Sequence, residues 1–200
     1  MKLAELAKRL NSKNASVFGL PPLVLITDAA RLPDPLVVAA RLPTGSAVLL
    51  RDYDFAQRDV LACELAALCR RRRLKLLIAR DAALAIRVGA GGLHLPEGRI
   101  SEVRRWRHRR HWLITVAAHS RQALSRAAMA GADAAFLSPV FTTGSHPGRH
   151  QLGAQRFNLL AAKASLPVYA LGGITASNAA QLLGGHAVGI AAINAFNQRN

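Results

Sequence analysis

Two hundred residues carry a formal net charge of +16, from 27 Lys and Arg against 11 Asp and Glu, with 51% hydrophobic residues and 5% aromatics. That length suits one domain, at the short end for an eight-stranded α/β barrel, with a core of Ala, Leu, Val and Ile. No stretch reaches the roughly 18 uninterrupted apolar residues of a membrane span, and the amino terminus lacks a continuous signal-peptide core.

Met1 to Leu10 sets charged residues among apolar ones at helical spacing and predicts an amphipathic first helix, with residues 1–20 as a lead-in and 21–200 as the barrel domain. Pro21 and Pro22 precede a strand from Leu23 to Thr27, followed by Asp28. Asp34 and Pro35 supply an N-cap and a first-turn proline for a short helix towards Ala40. A strand Ala47 to Leu50 ends in Arg51-Asp52-Tyr53-Asp54. The helix from about Gln57 to Arg72 is expected to put Val60, Leu61, Leu65 and Leu68 on one face. Cys63 and Cys69 lie on it six residues, so about 9 Å, apart, too far to bridge, and a reduced cytoplasmic setting is expected.

Next come a strand Lys75 to Ala79, a helix Ala82 to Val88, a strand Gly92 to Leu95, a helix near Ser101 to Arg110 and a strand Trp112 to Val116. Ala123, Leu124, Ala127 and Ala128 mark another helix, Ala134 to Leu137 a strand, and Ser138 to Leu152 a long polar loop. After a helix beginning near Gly153, the strand Pro167 to Leu171 runs into Gly172-Gly173-Ile174, and a last strand, Ala187 to Ile193, ends at Asn194. Short β-type runs alternating with helices at roughly twenty-residue intervals predict a single-domain (β/α)8 TIM barrel with an extra N-terminal helix. No Gly-x-Gly-x-x-Gly turn follows the first strand, which argues against an open doubly wound sheet.

A barrel works from the loops after its strands, so the candidates are Asp28, Arg51, Tyr53, Arg80, Asp81, His94, Glu97, Arg99, His119, Ser138, Thr143, Ser145, His146, Gly173 and Asn194. Basic and hydroxylic groups outnumber carboxylates there, which predicts an anionic small-molecule ligand. Glycine at a strand end lets backbone approach a ligand, and Asn194 is a good N-cap, so the last two βα corners are the expected phosphate site. Two ordinary turns are the alternative. The runs Arg70 to Arg73 and Arg104 to His111 fall at helix C-termini on the lower face, where they complement helix dipoles in solvent or, alternatively, meet RNA or a membrane.

Leu25-Ile26-Thr27-Asp28, Leu77-Ile78, Gly89-Ala90-Gly91-Gly92-Leu93-His94-Leu95, Ala118-His119-Ser120, Ser138-Pro139-Val140-Phe141 and Ala170-Leu171-Gly172-Gly173-Ile174 together resemble the thiamine phosphate synthase / TenI-type thiazole tautomerase family, from about Leu23 to Phe196. The resemblance implies a TIM barrel in thiamine biosynthesis, with thiazole phosphate held by Gly172, Gly173 and Asn194, and with Arg51, Thr143 and Ser145 as further ligand contacts. The synthase joins a pyrimidine pyrophosphate to thiazole phosphate with Mg²⁺. Its Gln-x-Arg-x-Lys is here Leu49-Leu50-Arg51-Asp52-Tyr53, its Asn-Asp is Ala79-Arg80 (or, slipped by one, ends in Asp81), its Gly-Gln-x-Asp is Pro96-Glu97-Gly98-Arg99, and its Thr-x-Thr-Lys is Thr143-Gly144-Ser145-His146.

Guanidinium groups ligate no magnesium. The resemblance therefore leans towards the tautomerase, an isomerase with His119 as acid/base, no metal and no cofactor. A divergent synthase, a transferase needing Mg²⁺, is the alternative. A silent phosphate-ligand sensor or an RNA-contacting protein is a third reading. Arg51, Arg80 and Arg99 either grip an anion directly or pair with Asp52, Asp81 and Glu97. His94 is expected to be structural. The expected partner is a small phosphorylated thiazole, not a membrane or nucleic acid; a homo-oligomer is allowed.

Overall fold

The computed structural model describes residues 3–15, 19–142 and 151–193. Eight parallel strands close in sequence order into one barrel: β1 (Leu23–Ile26), β2 (Ala47–Leu50), β3 (Lys75–Ala79), β4 (Gly92–Leu95), β5 (Leu113–Ala118), β6 (Ala134–Leu137), β7 (Val168–Leu171) and β8 (Ala187–Ala192). The helices are α1 (Leu3–Asn14), α2 (Pro35–Ala40), α3 (Arg58–Arg72), α4 (Ala82–Arg87), α5 (Val103–Trp106), α6 (Arg121–Ala130) and α7 (Gly153–Ala162).

Period-two alternation divides each strand between two cores. Val24, Ile26, Ala47, Leu49, Leu77, Ala79, Leu113, Phe136, Tyr169 and Val188 fill the barrel. Leu23, Leu25, Val48, Leu50, Leu76, Ile78, Leu93, Leu95, Ile114 and Val116 pack outward with the helices. The same alternation carried past the strand ends makes Asp28 and Arg51 the next inward positions above Ile26 and Leu49. Register fixes the mouth too, with His94 beside Thr115 and Ala79 beside His94.

The lower end is closed by α1. Asn11 Nδ2 donates to the carbonyls of Leu20 and Val188, at 3.0 and 2.8 Å, and Asn14 Nδ2 to those of Gly185 and Ala187, at 3.0 and 2.8 Å. Inside, the Tyr169 hydroxyl donates to the Pro21 carbonyl at 2.7 Å.

Several helix starts follow from capping. Asp34 accepts from Val37 N with Pro35 in the first turn, Asp81 from Leu84 N, and Ser120 from Ala123 N. Two expectations fail. In α3 the buried residues are Ala62, Leu65, Ala66, Leu68 and Cys69, while Val60 lies 58% exposed. Val60 sits roughly half a turn of rotation from Ala62 and Cys69, so it cannot share their face. The helix expected over Ser101 to Arg110 is a 3₁₀ segment, Glu97–Glu102, followed by the four-residue α5. Arg104, Arg105, Arg107 and Arg109 would repel at helical spacings, so like charge opposes its extension.

Candidate functional site

At the floor of the barrel mouth, His94 is buried, its Nδ1 2.9 Å from Thr115 Oγ1 and its ring centroid 5.0 Å from that of Phe136. Burial, and then the charge of Arg51, push its pKa down to about 3. It is therefore a neutral packing group near neutrality, as the sequence suggests.

Above it, β1 and β2 form one polar network. Asp52 accepts from Thr27 Oγ1 and, at 2.5 Å, from Ala29 N, while Arg51 N donates to Thr27 Oγ1 at 3.0 Å. Arg51 Nη2 pairs with Asp28, not with Asp52 as the sequence allowed. Arg31 meets the same Asp28 oxygen at 2.5 Å. Burial raises the Asp28 pKa, but the hydrogen bond and charge of Arg31 and the charge of Arg51 outweigh it, and the net shift is downward. Arg31 and Arg51 thus share the Asp28 carboxylate, while Asp52 serves Thr27 and Ala29.

The ends of β2, β3 and β4 frame a cleft of about 520 Å³ lined by Tyr53, Arg58, Arg80, Arg99, Arg105 and Trp106, with Asp54, Asp81 and Glu102 as its acids. Asp81 caps α4 and lies 3.5 Å from Arg58 Nη1, so it pairs with Arg58 and not with Arg80. Arg99 grips Glu102 with two bonds of 2.5 and 2.7 Å, and not Glu97. Arg80 has no ion pair among the described residues; its guanidinium lies 4.8 Å from the Tyr53 ring centroid. No group of three or more His, Cys, Asp or Glu among the described residues could hold a metal ion. Asp81 and Glu102 are already engaged, one as a cap and one by an arginine, which leaves Asp54. One carboxylate among four guanidinium groups is a poor donor set for Mg²⁺, which needs hard oxygen ligands.

His119 sits at the end of β5. One oxygen of Glu97 accepts both its backbone N–H, at 3.0 Å, and its Nδ1, at 2.8 Å; the other accepts from Arg126 Nη2 at 3.0 Å. Burial raises the Glu97 pKa, but the hydrogen bonds and charge of His119, with Arg126, outweigh it and hold it below the usual carboxylate range. An ionised carboxylate only accepts, so Nδ1 carries a proton and Nε2 is left as the basic nitrogen. Sequence reasoning does not find Glu97 as the orienting partner. The signal was present: with Leu95 beside Val116, the residues just beyond these two strand ends must be neighbours.

The glycines after β7 are required by packing. Gly172 and Gly173 have φ of 96° and 64°. A Cβ on Gly173 would lie 2.2 Å from the Thr142 carbonyl oxygen, and one on Gly172 2.9 Å from Pro139 Cα. Val140 N and Phe141 N donate to the carbonyls of Leu171 and Gly172, at 2.9 and 3.0 Å, so the start of the β6 loop is strapped to this turn. The turn leads to a four-residue 3₁₀ segment, Ala179–Leu182. Thr143, Ser145, His146 and Asn194 lie outside the described residues. The structure thus brings Arg51 to the mouth beside His94 and pairs His119 with Glu97, while Arg80 and Arg99 share the cleft.

No helix of the described residues is long and apolar enough to cross a membrane. The family described as "Thiamine monophosphate synthase" matches residues 23–196. A "Putative thiamine-phosphate synthase 2" of Aquifex aeolicus is 36% identical over 151 residues, covering 74% of this chain and 81% of that protein. A "Thiamine-phosphate synthase" of Thiobacillus denitrificans is 35% identical over 165 residues, covering 80% of this chain and 78% of its own. Among solved structures, "Thiamine phosphate pyrophosphorylase" from Pyrococcus furiosus superposes with a TM-score of 0.73 at 24% identity, covering 86% and 85% of the two chains. At that identity it supports the fold alone.

Proposed function

The chain belongs to the thiamine monophosphate synthase family, and from that premise we propose that it joins a pyrimidine diphosphate to thiazole phosphate in the cytoplasm, forming thiamine phosphate and releasing pyrophosphate. The names of its relatives favour this reading over the tautomerase to which the sequence leans. One observation carries it: guanidinium outnumbers carboxylate at the ends of β2, β3 and β4, around a cleft of about 520 Å³. A tautomerase substrate brings one carboxylate besides its phosphate, whereas a diphosphate brings two phosphoryl groups, which several guanidinium groups suit better.

In this reading the thiazole phosphate lies at Gly172 and Gly173, with Asn194, Thr143 and Ser145 supplying hydroxyl and amide contacts. Arg51, whose guanidinium shares the Asp28 carboxylate with Arg31, faces the ligand from the end of β2. The joining step forms a bond from a ring-nitrogen lone pair and breaks the bond to the diphosphate, so no base is needed to remove a proton. The magnesium that such enzymes use as a counter-ion would find one unpaired carboxylate among the described residues, Asp54, beside four guanidinium groups here, and no step is assigned to it. The barrel from residue 21 onward carries the chemistry, and α1 closes its lower end.

A second reading is favoured by the His119–Glu97 pair at 2.8 Å. A histidine with Nδ1 fixed and Nε2 basic is equipped to move a proton on a thiazole carboxylate phosphate. Incubation with hydroxymethylpyrimidine diphosphate and thiazole phosphate, with and without EDTA, and a parallel incubation with thiazole carboxylate phosphate, decide between them. Thiamine phosphate should form under both conditions. If none forms and the thiazole carboxylate phosphate is tautomerised instead, the second reading replaces the first; if neither reaction occurs, both fall.

A further inference from the structure

We infer that the cleft between the β2, β3 and β4 loops binds a diphosphate group without a divalent ion, using two ring-backed guanidinium groups, Arg80 and Arg105, where a metal would otherwise stand. This deepens the synthase reading and rests on it for the identity of the natural ligand.

Two of the four cleft arginines are engaged: Arg58 with Asp81 and Arg99 with Glu102. Arg80 and Arg105 remain, against Asp54 alone, although Arg105 also bears on Glu102 through its charge. Both lie over aromatic rings, Arg80 4.8 Å from the centroid of Tyr53 and Arg105 5.1 Å from that of Trp106. A ring behind a planar guanidinium covers its face and leaves its N–H edge for in-plane bonds, which is the geometry that phosphate oxygens accept. Burial pushes the Tyr53 phenol up against the opposing charges of Arg51, Arg80 and Arg58, so its hydroxyl stays a donor beside them.

The backbone of Arg80 supplies an independent sign. It is a non-glycine residue at φ 65°, a left-handed conformation that is unfavourable for a residue with a Cβ. It is clamped there on both sides: its N–H donates to the His94 carbonyl at 2.8 Å, and its own carbonyl accepts from Arg99 Nη1 at 3.3 Å. A glycine or asparagine would occupy that conformation at less cost. The clamp holds Arg80 where its guanidinium lies over Tyr53. Two anchors on separate elements, one after β3 and one on α5, suit a ligand with two phosphoryl groups better than a single phosphate.

Calorimetric titration of the full chain with inorganic pyrophosphate in EDTA tests this. Binding is expected without metal and unchanged by added Mg²⁺. Arg80→Gly, which removes the guanidinium and suits φ 65°, should weaken it at least tenfold, and so should Arg105→Ala. Arg72→Ala on the lower face should leave it unchanged. Binding that requires Mg²⁺, that survives Arg80→Gly, or that falls equally with Arg72→Ala overturns the inference. Thiazole phosphate titrated into the same protein separates the two layers. If it fails to bind while pyrophosphate binds, the synthase reading falls and the cleft stands; the reverse result removes the cleft and keeps the reading.

Discussion

A single carboxylate oxygen of Glu97 holds both the backbone amide and the Nδ1 of His119, at 3.0 and 2.8 Å. The imidazole is thereby fixed in one tautomer, and its role is separable by reaction. If the protein joins the two substrates, His119→Ala should change that reaction by less than about tenfold; if it is instead the tautomerase, the same variant should lower tautomerisation by about 10²–10⁴, the usual contribution of a general base. Parallel assays of the two reactions on wild type and variant provide the check. A loss of that size in the joining reaction would place His119 at the joining step itself.

Gly173→Ala should destabilise the fold by roughly 1–3 kcal/mol or more, because the new Cβ would meet the Thr142 carbonyl at 2.2 Å and the residue would keep φ of 64°. Gly98→Ala is the control, since a methyl group added there would meet nothing within 4 Å and the backbone has no positive φ. Thermal denaturation of the two variants should separate them clearly.

His94 predicts a pH dependence. Its folded pKa, about 3, lies below the unfolded value near 6.5. The unfolded chain therefore binds a proton first as pH falls, and stability declines from about 6.5 towards 3 at up to roughly 1.4 kcal/mol per pH unit. His94→Gln should flatten that limb. Chemical denaturation from pH 7 to pH 4 measures the slope in both proteins; equal slopes would show that His94 is protonated in the native state.

Asp28→Asn should cost about 1–3 kcal/mol at pH 7, since Arg31 and Arg51 lose their shared acceptor. Because the native pKa of Asp28 is lowered, its contribution is present above the unfolded value near 3.9 and lost as pH falls through the native one. The gap between wild type and variant should therefore persist at pH 5 and close at strongly acid pH, read by the same denaturation curves.

The strand order was legible because short apolar runs recur between helical segments, and the start of α2 because the cap Asp34 and Pro35 act locally. The ionic partnerships were not. Arg51 has Asp52 beside it in sequence yet meets Asp28, because alternation turns Arg51 inward while Asp52 serves Thr27 and Ala29. Arg99 similarly prefers Glu102, three residues on in the same 3₁₀ turn, to Glu97. The need for Gly172 and Gly173 was visible, but its immediate cause, the backbone of residues 139–142, belongs to another loop.

The amides of Asn11 and Asn14 reach carbonyls 177 and 173 residues further along the chain. During synthesis the first helix therefore emerges without its docking partner and gains it only when the last strand is made. Such long-range closure is slow to form, since the chain must loop back on itself first. Ribosome-bound chains stopped before Ala187 would keep that helix undocked, and its protection from proteolysis would report completion of the whole barrel.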